Sequence, residues 1–135
     1  METRYLQSDG CRYWVHIDIT TEEWVQMLQK DVISPVGVNM LQQWYAEPGH
    51  VAPASEVGRR YNCSYQFYNK RVEVEGKRII QYLNRFEVMQ YSKPTNNAYW
   101  VLMFEGEHVK DKSSPFKWKL RAELALAMEN LGMIP

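Results

Sequence analysis

The sequence predicts an α+β protein built on a winged helix-turn-helix, with an added N-terminal strand and a C-terminal strand and helix. Three observations predict this class. Two helix-type segments meet at a tight turn, two aromatic-rich strand-type runs follow them, and a chain of 135 residues has the length of one domain. The aromatic fraction of 13% opposes disorder, because disordered segments lack the apolar surface that offsets ordering entropy. We therefore expect residues 1–135 to form a single domain.

The first third of the chain predicts one strand and two helices. Residues 12–19 alternate between apolar and polar side chains, and a period of two is typical of a strand. The Thr20–Glu23 capping box predicts a helix over about 21–30. Ser34-Pro35 begins a second helix, since proline suits the first helical position, and Glu47-Pro48-Gly49 ends it.

The helix-turn-helix is predicted over about residues 53–84. Pro53 opens a short helix, and Asn62 ends it because asparagine tolerates the left-handed conformation. Ser64 is a good N-cap for a longer helix, in which apolar side chains recur at intervals of three, four and seven residues. Gly76 weakens that longer helix and marks a point where it could kink.

Two aromatic-rich runs, at residues 86–92 and 99–105, follow the helix-turn-helix and are separated by turn-forming residues. We expect them to pair as a β-hairpin, the wing, over about residues 86–105. Alternation at residues 116–120 predicts a further strand, and a helix over about 121–131 closes the chain.

Basic residues are concentrated in the middle of the chain. Residues 1–58 contain three basic and eight acidic residues, and residues 59–85 contain seven basic and two acidic residues. Residues 86–135 contain six of each. A basic segment between acidic flanks is suited to binding a polyanion. Scattered charge on solvated helices gives the same distribution, and that alternative stays open.

The start of the second helix supplies the predicted DNA contacts. In helix-turn-helix proteins this part of the helix meets base edges in the major groove, and flanking cations meet phosphates. Amide side chains suit adenine, while lysine and arginine suit guanine or phosphate. The residues predicted to contact bases are Ser64, Gln66, Asn69 and Lys70. The residues predicted to contact phosphates are Arg59, Arg60, Lys77, Lys117 and Lys119.

The spacing of the residues does not indicate a catalytic, metal or cofactor site. The three histidines lie in separate elements, and no phosphate-binding loop or nucleophile elbow is present. The two cysteines make neither a disulfide framework nor a metal-site spacing. No apolar run approaches the roughly 18 residues of a membrane span, and the N-terminus has no signal-peptide core. We therefore expect a non-catalytic, cytoplasmic protein without a cofactor, metal or membrane partner.

Two runs of residues carry a family resemblance. Residues 100–106 follow the pattern Trp-x-Leu-x-Phe-x-Gly, and residues 116–124 follow Phe-x-Trp-x-Leu-Arg-x-Glu-Leu. Shorter matching pieces are Glu23-Trp24, Tyr61-Asn62, Tyr65, Tyr68-Asn69 and Arg78-Ile79. Through these residues the chain, from about 20 to 131, resembles the N-terminal target-recognition domain of McrB-like AAA+ restriction subunits and related defence proteins.

The resemblance implies a module that recognises double-stranded DNA, with modified DNA among the implied targets. It also implies a motor or nuclease subunit as a fused domain or partner, and this sequence contains neither. The alternative is a protein–protein interaction module that docks such a subunit. That alternative would be favoured if Phe67, Trp14 and Trp100 were neighbours on the surface. A small enzyme would need a pocket where a histidine and a carboxylate converge.

Overall fold

The computed structural model describes residues 1–90, 96–108 and 115–135. Within them the chain forms a mixed α+β fold of five α-helices and an open six-stranded sheet. The helices are α1 (Thr21–Gln29), α2 (Pro35–Tyr45), α3 (Ala54–Tyr61), α4 (Tyr65–Leu83) and α5 (Ala122–Asn130). The strands are β1 (Glu2–Ser8), β2 (Arg12–Trp14), β3 (Val51–Ala52), β4 (Phe86–Gln90), β5 (Phe104–His108) and β6 (Phe116–Leu120). None of these helices is long and apolar enough to cross a membrane.

The sheet has the order β3-β6-β5-β2-β1-β4. Strands β1 and β4 are parallel, and the other neighbours are antiparallel. Side chains alternate between an inner face, which buries Phe104 and Trp118, and an outer face, where Trp14 and Glu105 are exposed. The core therefore lies between the inner face and the helices, while the described helices leave the outer face open.

Trp44 of α2 ties the helices to the sheet. Its indole Nε1 donates hydrogen bonds to the backbone oxygens of Trp118, at 3.0 Å, and Ala52, at 3.2 Å. Its ring packs edge-on against Tyr68 of α4, with centroids 4.9 Å apart, and contacts Phe104 of β5 at 5.3 Å. A single buried side chain thus fixes where α2 and α4 cross the sheet.

The predicted helix starts and the predicted turn are confirmed. The Thr20–Glu23 capping box is present, and Ser34 caps α2 by accepting a hydrogen bond from the Gly37 N–H. Asn62 ends α3 in the left-handed conformation, with φ of 57°, and Ser64 caps α4. The bounds of α3 and α4 therefore agree with the two helices predicted between about residues 53 and 84.

Gly76 does not interrupt α4, which is a single helix from Tyr65 to Leu83. The glycine is buried, and a Cβ built there would lie 2.5 Å from the Cβ of Tyr99. Because real Cβ atoms do not approach so closely, the missing side chain is what lets the segment at Tyr99 pack against α4.

The N-terminal strands differ from the prediction. The expected strand over residues 12–19 ends at Trp14. The residues that follow are held by the side chain of Arg4 and not by backbone hydrogen bonds to a neighbouring strand. The Arg4 guanidinium donates to the His16 backbone oxygen at 3.2 Å and to the Asp18 carboxylate at 2.8 Å. Strand β1 was not predicted, because Leu6 is its only buried residue and it shows no alternation.

The wing also differs from the prediction. Residues 99–102 form a 3₁₀ turn, and β5 pairs with β2 and β6 instead of with β4. The chain returns along β4 only at residues 96–98, where Ala98 N–H donates to the Val88 oxygen and Gln90 N–H to the Asn96 oxygen, both at 2.9 Å. The remainder of the predicted turn lies outside the described residues. The side chain of Arg121 holds the 3₁₀ turn by donating to the Val101 oxygen at 2.8 Å.

Candidate nucleic-acid interface

The start of α4 presents the predicted base-contact residues to solvent. The Ser64 hydroxyl oxygen accepts a hydrogen bond from the Gln66 N–H at 3.1 Å, so Ser64 serves as the N-cap. Gln66, Asn69 and Lys70 are exposed, and within the described residues none of their side chains has a hydrogen-bond or ion-pair partner. Four residues of helix span about 6 Å, so these three side chains fit within a few base steps.

A groove of about 490 Å³ runs beside this part of α4. One wall is α4 and the other is the returning segment 96–98 with the end of β4. Its polar lining residues are Asn69, Glu73, Lys77, Gln90, Asn96 and Asn97, and its aromatic ones are Tyr99, Trp100 and Trp118. The groove therefore offers several amide groups that both donate and accept hydrogen bonds.

The aromatic residues at the base of this groove belong to the core. Trp100 and Trp118 stack with an interplanar angle of 6° and centroids 6.2 Å apart, and Trp118 is buried. Gly106 makes room for them, since a Cβ there would lie 2.5 Å from the Trp100 ring. Their rings fix the shape of the sheet beneath α4.

Two of the predicted phosphate contacts are held by carboxylates. Arg60 binds Glu47, which is buried, and also Glu56 at 3.0 Å. These hydrogen bonds raise the pKa of the Arg60 guanidinium above its ordinary value. Lys77 pairs with Glu73 of the preceding turn at 3.2 Å. A phosphate would have to compete with these anions for either cation.

The rest of the basic segment is largely neutralised in the same way. Arg71 pairs with Glu75, Arg85 pairs with Glu23, and Arg78 donates to backbone oxygens after α1. Within the described part of the chain, the basic residues of this segment that have no partner are Arg59 and Lys70. The basic segment seen in the sequence therefore provides two uncommitted cations near the start of α4.

Lys117 and Lys119 lie away from this group. Both point to the outer face of β6, where Glu107 and Glu105 of β5 are their neighbours in register. Lys117 lines an edge depression together with Arg60, and Lys119 lines one that includes Trp14. Neither depression includes any of the predicted base-contact residues, so the structure does not join the predicted phosphate contacts into one surface.

The aromatic residues that would favour a docking module are not neighbours. Trp14 points to the outer face of the sheet, whereas Trp100 packs on the inner face against Tyr13 and Phe116. Phe67 is 41% exposed, and its ring packs edge-on against Tyr68, with centroids 5.4 Å apart. The surface patch required by the docking alternative is therefore not formed by these three residues.

Two polar groups that sequence reasoning missed hold α4 in place. Glu75 is fully buried and accepts hydrogen bonds from the Ser34 N–H at 2.8 Å and the Ser34 hydroxyl at 2.6 Å. The Tyr68 hydroxyl donates to Gln43 at 2.6 Å and accepts from the Cys63 thiol at 3.1 Å. Burial, followed by the bond with Cys63, raises the pKa of Tyr68. A charged residue on the apolar stripe of a helix is the signal that could have indicated Glu75.

The described residues contain no group of three or more histidine, cysteine, aspartate or glutamate side chains that could hold a metal ion. The fold and the interface together define a mixed α+β protein with an exposed polar helix start beside a groove. No family model matches the chain, and no curated protein or solved structure matches it. The resemblance to McrB-like recognition domains stays a prediction.

Proposed function

We propose that this chain is a non-catalytic winged-helix module that binds double-stranded DNA through the start of α4. The observation that carries the proposal is the group formed by Gln66, Asn69 and Lys70. These side chains are exposed, free of protein partners within the described residues, and carried by α4, the second of two helices that meet at a tight turn. Amides and a lysine at this place are suited to reading base edges in the major groove.

The wing in this proposal is β4 with the returning residues 96–98. It stands next to α4 across the groove, and it brings Gln90 and Asn97 to the side of the helix that carries Asn69. Such an arrangement would let the helix enter one groove of the duplex while the wing meets the adjacent backbone.

Arg59 is the proposed phosphate contact near α4 that has no carboxylate partner in the described residues, and Lys70, proposed to reach a base edge, is the other cation left available to the DNA. The pairs formed by Arg60 and Lys77 argue for a structural role of these two residues. The family resemblance extends the proposal to target recognition in a cytoplasmic restriction or defence system, with modified DNA as one target.

The test is fluorescence anisotropy with a labelled duplex, plain and cytosine-modified, in low salt. Gln66→Ala and Asn69→Ala should each weaken binding by about 5- to 150-fold, which corresponds to the loss of one bidentate base contact. Gln81→Ala is the matched control, since it removes an exposed glutamine farther along the same helix. Absence of binding to either duplex would overturn the proposal, as would equal affinities for all three variants and the wild type.

A further inference from the structure

A cavity of about 260 Å³ lies at one end of the inner face of the sheet. Among the described residues, no α-helix contributes to its walls. One lining residue, Trp100, comes from the 3₁₀ turn, and the others are inward-facing strand residues. These strand residues are Leu6, Tyr13, Gln90, His108 and Phe116. The cavity shares Gln90 and Trp100 with the groove beside α4, but the polar side chains of that helix do not reach it.

Aromatic rings form most of the walls of this cavity. Phe116 stands nearly perpendicular to Tyr13 and to Trp100, with interplanar angles of 86° and 87°. Tyr13 and Trp100 meet at 72°. The ring of His108 completes the wall, with its centroid 5.2 Å from that of Phe116 and 6.2 Å from that of Tyr13. All four side chains are partly exposed, so their packing against one another does not close the cavity.

Two of these rings are fixed by residues outside the cavity. Trp118 lies parallel to Trp100 within 6° and is itself buried. Gly106 lies beside both rings, because a Cβ there would be 2.4 Å from Cζ of Phe116 and 2.5 Å from Cη2 of Trp100. The absence of a side chain at Gly106 is therefore what lets the two rings meet. Walls that are already in place reduce the entropy lost when a ligand binds.

The angles between the rings determine the shape of the group that fits. A planar base is held between two parallel rings, whereas Tyr13, Trp100 and Phe116 form three roughly perpendicular walls. Such walls suit a compact, roughly spherical group. Their centroids are 5.3, 5.4 and 6.4 Å apart. For perpendicular rings these separations divided by √2 place an enclosed point about 3.7–4.5 Å from each centroid, within the roughly 6 Å of a cation–π contact.

The charge of the walls determines the chemistry of that group. The face of an aromatic ring is negative, so three faces favour a cation. The cations of the chain that lie over rings in the described residues lie over Tyr82, Phe86 and Tyr99, outside this cavity. No carboxylate lines the cavity among the described residues, so a primary ammonium would lose its hydration without an anionic partner. A methylated ammonium is weakly hydrated and does not need one.

We propose that this cavity binds a trimethylammonium group through cation–π contacts with the aromatic cage formed by Tyr13, Trp100 and Phe116. Its volume lies below the roughly 300–1,000 Å³ of sites for whole drug-sized molecules, so it fits a head group such as that of choline or trimethyllysine. The proposal does not depend on DNA binding.

A comparison of ligands on the wild-type protein is the first test. The probes are choline and its neutral isostere 3,3-dimethylbutan-1-ol, and NMR titration follows the indole N–H of Trp100. The titrations are run at about pH 8, where imidazole is ordinarily neutral and does not repel a cation. Choline should bind with a dissociation constant of roughly 0.1–10 mM, about 10-fold or more tightly than the isostere, because only the cation gains from the ring faces. N-acetyl-trimethyllysine amide is the third probe, and its affinity relative to choline distinguishes the two sources of the group.

Variants that remove one ring face form the second test. Phe116→Leu and Tyr13→Leu keep an apolar side chain, and each should weaken choline binding by about 2- to 30-fold, the loss of one cation–π contact. The isostere should lose little affinity in either variant. Tyr13→Phe keeps the ring face and should bind choline like the wild type. Trp14→Leu is the matched control, since it removes an exposed indole that does not line the cavity. Circular dichroism of each variant establishes that the fold is retained.

Three results would overturn the proposal. The first is the absence of choline binding up to about 50 mM. The second is equal affinity for choline and its isostere in the wild type, which would mean that the cavity selects apolar volume and not charge. The third is an unchanged choline preference in both leucine variants. None of these measurements contains DNA, so failure here leaves the proposed DNA binding unaffected.

Discussion

For the proposed DNA binding, the salt dependence of the affinity is the quantity on which the sequence-based and the structure-based predictions differ most strongly. Each phosphate neutralised by a cation contributes about −0.9 to the slope of log affinity against log salt. Arg59 and Lys70 are the uncommitted cations near α4, and two contacts predict a slope of about −1.8. Affinity should then fall about 12-fold between roughly 50 and 200 mM salt.

The five phosphate contacts predicted from the sequence would give a much steeper dependence. Their slope would be about −4.5, and affinity would fall about 500-fold over the same range. The two predicted losses of affinity differ by more than a factor of 40, which corresponds to about 2 kcal/mol of binding free energy. An anisotropy titration resolves that difference easily. The difference has three sources: Arg60 and Lys77 are already paired with carboxylates, Lys117 and Lys119 lie on the outer face of the sheet, and Lys70 joins Arg59 as an available cation.

Two double variants assign the slope to residues. Arg59→Ala with Lys70→Ala should flatten it, because both uncommitted cations are removed. Lys117→Ala with Lys119→Ala should leave it unchanged, because these residues lie on the outer face of the sheet. A wild-type slope steeper than about −3.5 would refute the reasoning, and so would a flattened slope in the second double variant.

Three further predictions concern stability. Glu75→Gln should lower the free energy of unfolding by about 2–4 kcal/mol in urea titrations, because it removes a buried charge from its arginine partner. Gly76→Ala should lower it by about 1–3 kcal/mol through overpacking, whereas Gln81→Ala on the exposed side of α4 should change it by less than about 0.5 kcal/mol. The hydrogen bond from Arg4 lowers the pKa of Asp18 below 3.8, so the ion pair contributes stability above that pH and loses it as the pH falls. Asp18→Asn should therefore cost at most about 1 kcal/mol at pH 7, and the difference should vanish in acid.

The outcomes that would contradict these predictions are specific. Unchanged urea midpoints for Glu75→Gln would mean that the neutral amide serves Ser34 as well as the carboxylate does. A neutral Gly76→Ala would mean that the Tyr99 segment can move away from α4. A constant difference between Asp18→Asn and the wild type at pH 7 and in acid would mean that the carboxylate charge contributes nothing.

The helix boundaries could be predicted because their signals are local. Thr20 and Glu23, Ser34, Asn62 and Ser64 act on backbone groups within three or four residues, so sequence neighbours decide them. The exposed residues at the start of α4 follow from the same local pattern. For this reason the predicted base contacts could be placed on a helix before any tertiary structure was known.

The sheet was predicted less well because strand partners are distant in the chain. β5 follows β4 in sequence but pairs with β2 and β6, and β1 pairs with β4 about 84 residues later. Nothing in the alternation of a strand specifies which other strand satisfies its backbone groups. The second wall of the groove could not be anticipated either, since it depends on where the chain returns after β4.

The sequence by itself determined the positions of α3 and α4, the turn between them, the order of their capping residues and the types of side chain at the start of α4. The tertiary structure alone decided which charges remain available. Arg85 is paired with a carboxylate 62 residues away and Arg60 with one 13 residues away, whereas Lys70 has no partner in the described residues. Local hydrogen bonds depend only on neighbouring residues, but an ion pair depends on the packing that brings its two charges together, and the sequence order does not contain that information.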